Sequence, residues 1–109
     1  MSWLLRDGDV LAAADVATSL SARAKGLLGR TEFVGAMVLP RTRAVHTFGM
    51  RFAVDVAICD QDMVVVGVTR LQPWRMCLPK KGGRSVIEAQ AGAFERWGLR
   101  VGDKLELRG

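Results

Sequence analysis

The residues Phe52 to Cys59, FAVDVAIC, place Phe52, Val54, Val56 and Ile58 on one face and Ala53, Asp55, Ala57 and Cys59 on the other. That period-two alternation specifies a strand. Asp60-Gln61-Asp62 joins it to a second β run, MVVVGVT, so residues 52–69 predict a hairpin on which the rest of the fold must be built. Asp55 falls on the face lined by small side chains, which either let a second layer pack close or leave a hollow. A carboxylate there needs donors, because burying an unpaired charge costs several kcal/mol. Arg23 and the basic residues of 70–84 are the candidate partners.

Shorter signals fill in the remainder. SWLLRDGDVLAAADVA predicts a hairpin with Trp3–Leu5 and Val10–Ala17 as arms and Asp7-Gly8 as the turn. SLSARAKGLLGR predicts a short helix with Ser21 as N-cap and Gly29 ending it. Gly35–Pro40 predicts a brief strand stopped by proline, and SVIEAQ (85–90) and Lys104–Arg108 predict two more. AGAFERWG predicts a second short helix closed by Gly98, with Phe94 and Trp97 packing into the core. Residues Arg70 to Arg84 hold two prolines and two adjacent glycines without a period, and read as a long loop. Strands follow one another without regular helical crossovers, which predicts a mainly β single domain over 1–109. Its expected form is an antiparallel β-sandwich or flattened barrel of about seven strands with two short helical insertions.

Charge narrows the function classes. The net charge is +5, and Arg70–Arg84 alone carries five cations and no acid; a second acid-free run, Phe33 to Val54, holds Arg41, Arg43 and Arg51. Such patches attract anions. No apolar run approaches the ~20 residues of a membrane span. Arg6, Asp7 and Asp9 interrupt any signal-peptide core, so no membrane partner and a cytoplasmic location are the expectations. One histidine, two separated cysteines and scattered acids match no metal-ligand spacing, so neither a metal nor a cofactor is expected. Cys59 and Cys77 read as buried free thiols, with a disulfide between them left open. KKGGR (80–84) lacks the strand–loop–helix context of a phosphate loop.

Three blocks, RAKGLLGR (23–30), HTFGMRFAVDVAICD (46–60) and VIEAQAGAFERWGLRVGD (86–103), occur in an order and spacing that resemble the family of small prokaryotic proteins catalogued as domain of unknown function 192. The likeness runs from about Ser19 to Leu107. It implies a compact β-sandwich domain and no established activity. The family pattern has histidine or tryptophan at His46, methionine at Met50, and a proline-hydrophobic-Asp triplet ending at Asp55; Ala53 stands here where proline is usual. Many relatives carry an export or lipoprotein signal, so location is not transferred from them.

The candidate ligand-binding residues are Arg23, His46, Thr47, Met50, Asp55 and Trp74. They predict a pocket at one end of the fold, gated by the loop carrying Trp74, for a small polar or anionic ligand. Trp74, beside Pro73, is the candidate for a solvent-facing platform. An electrostatic binder of nucleic acid or another anionic surface through residues 70–84 ranks second. A small hydrolase or transferase ranks third; it would use His46 oriented by Asp55, and requires a His–Asp hydrogen bond of about 2.6–3.2 Å. Cys77 as a nucleophile paired with His46, and Glu88 as a second carboxylate beside Asp55, are weaker alternatives.

Overall fold

The computed structural model describes residues 2–19, 22–23 and 34–109. In chain order the elements are β1 (Ser2–Arg6), β2 (Asp9–Val16), β3 (Ala36–Leu39), β4 (Val45–His46), β5 (Val54–Cys59), β6 (Val65–Leu71), β7 (Met76–Cys77), β8 (Ser85–Gln90), α1 (Ala93–Trp97) and β9 (Leu105–Arg108). Apart from Ala22 and Arg23, the helix expected over Ser21–Gly29 lies outside the described residues.

Seven strands form one sheet in the order β6-β5-β8-β3-β2-β1-β9, and β4 pairs with β7 as a separate ribbon. The mainly β expectation holds, and so do both hairpins. Asp7 (φ 52°) and Gly8 (φ 83°) both take the positive φ that a tight primed turn demands. Three expectations are corrected. The sheet is mixed, because β2 and β3 run parallel; the long connection from Val16 to Ala36 gives the chain room to return in the same direction. Residues 70–84 are not one loop, since Arg70 and Leu71 extend β6 and Met76–Cys77 form β7. The strands also make a single curled sheet, the barrel-like form of the two expected and not the sandwich. Its outer strands meet at one end, where Val64 bridges Lys104 and the Val65 amide donates to the Asp103 carbonyl at 2.8 Å. The result is a half-barrel.

The curl explains the core. Its inner face draws buried side chains from every strand of the sheet, among them Leu4, Val38, Ala57, Ile87 and Leu105, and α1 seals it with Phe94. The outer face around β5, β8 and β3 carries Met37, Val54, Val56, Ile58 and Val86, covered by Val45, Met50 and Cys77. Strands β5 and β8 are therefore buried on both sides, and burying each Val or Ile contributes roughly 1.5–3 kcal/mol.

Each of these two strands carries one buried acid, and the two point opposite ways. Asp55 lies opposite Ala89, and Glu88 lies opposite Val56. Asp55 shares the inner face with Ala57. Its Oδ2 accepts the Gly92 and Phe94 amides at 2.9 and 3.2 Å, and its Oδ1 accepts Arg70 Nε at 2.9 Å. Glu88 shares the outer face with Val86 and is fully buried, with Arg23 donating to it through Nε at 2.8 Å and through its terminal nitrogen at 2.7 Å. Arg23 therefore serves Glu88, and Arg70 serves Asp55.

Removing one member of the buried pair leaves an uncompensated charge. Arg23→Ala is expected to cost about 3–5 kcal/mol in urea unfolding, while the double replacement Arg23→Met/Glu88→Leu costs far less. The thiols give a pH test. Cys59 lies on the inner face and Cys77 on the outer; both are free, and burial raises both above their ordinary values. Cys59 moves from 9.0 to about 12, driven by burial and then by the Asp60 charge. A raised folded-state value means that its contribution is complete below pH 9.0 and disappears as pH rises toward about 12. Unfolding free energy is expected to fall across that window more steeply than in Cys59→Ala.

Candidate functional site

Thr47 is the residue from which the outer face is organised. It is completely buried at the end of β4, where its amide donates to the Arg75 carbonyl at 2.8 Å and its hydroxyl to the Gln72 carbonyl at 2.6 Å. In return the Arg75 amide donates to the Thr47 hydroxyl at 2.9 Å. The Thr47 carbonyl accepts the Trp74 amide at 3.0 Å and the Met50 amide at 3.1 Å. One side chain and its peptide groups thus stitch the 47–50 turn to the 72–75 turn. The stitched turn holds Trp74 at φ 62°, a backbone state that a bulky residue keeps only when its surroundings over-determine it.

The stitch presents a row of rings. His46 stacks on Phe48 with centroids 4.6 Å apart, and Phe48 lies 6.2 Å from Trp74 at a shallow interplanar angle of 25°. The Phe48 amide also donates to His46 Nδ1 at 3.2 Å, which orients the imidazole. Phe48 is 42% exposed and Trp74 63%, so the row stands in solvent. His46 pairs with Met76 across the ribbon, while Val45 and Cys77 turn inward to the core. Met76 (54% exposed) and Leu78 (71%) continue the exposed strip.

The two runs that flank the rings are both basic. Strand β4 comes from the acid-free run 33–54 and β7 from the acid-free run 70–84, and their pairing brings the two runs together. Arg51 and Arg75 adjoin the stitched turns and are exposed, while Arg84 sits at the far end of β5, its amide donating to the Cys59 carbonyl at 2.8 Å.

Five of the six candidate ligand-binding residues lie on this side of the sheet. Thr47 bonds to Trp74 directly in the stitched turn, and His46 joins Trp74 through Phe48. Met50 is tied to Thr47 and packs beneath, its Sδ 3.9 Å from the terminal nitrogen of Arg23. Asp55 does not join them: it faces the inner side against α1, with the sheet between it and His46. The shared His46/Asp55 pocket and the hydrolase geometry built on it are therefore absent. The acid under this cluster is Glu88, which is also separated by the sheet from Asp55, so no carboxylate pair forms. Cys77 turns into the core, and its raised pKa disfavours the thiolate. Sequence reasoning passed over Phe48 and Met76, and had Arg75 only as one of the cations of 70–84. The available signal was the alternation VHTF beside RMC, with both stretches free of acids.

Among the described residues no helix is long and apolar enough to cross a membrane, and no group of three or more His, Cys, Asp or Glu is placed to hold a metal.

Comparison with known proteins places this architecture. The DUF192 family model, described as an uncharacterized ACR, matches residues 4–107. A UPF0127 protein of Pyrococcus horikoshii is 35% identical over 111 residues, covering 97% of this chain and 90% of that protein. A UPF0127 protein of Pyrococcus furiosus is 38% identical over 86 residues, covering 74% of each. The match to a UPF0127 protein of Pyrococcus abyssi, 42% identical, spans about half of that protein (53%) and 57% of this chain. Two crystal structures share the fold at a TM-score of 0.78 and 20% identity, each over 96% of this chain. One is a protein of unknown function from Novosphingobium aromaticivorans, matched over 82% of its chain; the other is a putative transcription regulator from Sinorhizobium meliloti, matched over 90%. At that identity the likeness speaks to fold alone. The chain belongs to the DUF192 family, which also goes under the name UPF0127.

Proposed function

We propose that this protein is a binding module that takes a ring-bearing anion, a nucleotide or a short single strand of nucleic acid, on the outer face of the β4–β7 ribbon. One observation carries the reading: two acid-free, basic stretches distant in sequence pair to frame an exposed row of stacked rings. Rings offer sequence-tolerant stacking to a base, and neighbouring cations neutralise phosphates. The Thr47 stitch supports the reading because it fixes the platform before the ligand arrives, so little ordering entropy is lost on binding. The small anionic ligand and the nucleic-acid partner, two separate expectations from sequence, become one chemistry on this surface.

Exposed Met76 and Leu78 favour a second reading, in which the same strip docks an acidic protein surface.

Fluorescence titration with a thymidylate oligonucleotide tests the proposal. Binding is expected at low salt, with log K falling by about 0.7 per neutralised phosphate for each decade of salt. Trp74→Ala is expected to weaken binding by about 5- to 150-fold, the loss of one stacked base. Thr47→Val, which touches no ligand, is expected to weaken it as well and to cost about 1–3 kcal/mol of stability through unpaired buried groups. Absence of binding at low salt, or full affinity in Trp74→Ala, would overturn the nucleotide reading. Salt-dependent binding of poly-glutamate in place of the oligonucleotide would favour the protein surface.

A further inference from the structure

On the inner-face side of the sheet, away from the ribbon, β6 and α1 border an open surface hollow of about 520 Å³. Its apolar wall is Val68, Phe94 and Leu99. Its charged groups are Arg70, Glu95 and Arg100, with Asp55 behind them.

The charges are arranged in two tiers. Asp55 is buried and fully engaged, held by the Gly92 and Phe94 amides and by Arg70 Nε. Its hydrogen bond and charge raise the Arg70 pKa and keep that guanidinium in place while the side chain stays exposed. Arg70 spends only Nε on Asp55, its terminal nitrogens make no hydrogen bond among the described residues, and the side chain lines the hollow. Arg100 and Glu95 are exposed on the rim, and among the described residues neither takes part in an ion pair. The hollow thus offers two guanidinium groups, one carboxylate and an apolar wall. A simple anion would meet the guanidiniums but also Glu95, and a simple cation would meet the reverse. A zwitterion satisfies both signs at once.

We infer that this hollow binds a free α-amino acid with an apolar side chain. Arg70 and Arg100 receive the carboxylate, Glu95 receives the ammonium, and Val68, Phe94 and Leu99 pack against the side chain. Asp55 acts as a positioning residue: it orients Arg70 and anchors the helix that forms the opposite wall. This accounts for the acid singled out in the sequence without giving it chemistry of its own.

A two-dimensional amide NMR titration with L-leucine, N-acetyl-L-leucine and L-leucinamide tests the inference. Leucine is expected to give saturable shifts at residues 68–70 and 98–100. Each blocked analogue, lacking one charge, is expected to bind at least about tenfold more weakly, a loss on the scale of one charged hydrogen bond. Glu95→Gln and Arg100→Gln alter exposed residues outside the core and are each expected to weaken leucine binding at least about fivefold, with the rest of the spectrum unchanged. Absence of saturable shifts at those residues would overturn the site. Equal binding of N-acetyl-leucine and leucine would overturn the zwitterion assignment.

Discussion

Strands β5 and β8 have no solvent-facing side, and most other features of the molecule follow from that. A strand buried on both faces needs two covers, and a cover made of short segments contributes little apolar area. Here each central strand holds one acid that fastens a cover. Asp55 fastens α1 through the Gly92 and Phe94 amides, and Glu88 fastens the Arg23 segment. Hydrogen bonds to charged groups are worth about 1.5–3 kcal/mol each, enough to hold a five-residue helix that has no independent stability. The two acids sit on neighbouring strands yet are divided by the sheet.

That division separates two surfaces with different characters. The outer side is basic and aromatic, with its loops locked by a buried threonine. The inner side opens beside α1 into a hollow where charges of both signs flank an apolar wall. Nothing requires the two to act together, since the sheet between them is densely packed. A chain of this size can nevertheless present both, because the half-barrel exposes its curled edge on one side and its ribbon on the other.

The strand-and-turn framework was legible in the sequence because it rests on local rules. Period two marked β5 and β8, and Asp7-Gly8 marked the first turn. The need of Asp55 for a cationic donor followed from the cost of burying charge, and the exposure of Trp74 followed from its place beside Pro73. What could not be read was long-range. Whether Asp55 and His46 share a face depends on which side of the sheet the β4–β7 ribbon covers, and no local pattern encodes that. Likewise Glu88 could be set beside Asp55 in the sequence, and only its register against Val56 puts it on the other face under Arg23. The parallel β2–β3 pair escaped for the same reason, since the long chain between them permits either direction.

Site-resolved amide hydrogen exchange in Asp55→Asn tests most directly whether the buried acids act as fasteners for the two covers. Loss of the charged acceptor on the inner face is expected to speed exchange in α1, at residues 93–97, by at least about tenfold. The ribbon amides of Thr47, Trp74 and Arg75 on the outer face should keep wild-type protection. Unchanged protection of α1, or equal loosening of helix and ribbon, would contradict the assignment of one anchor to each face.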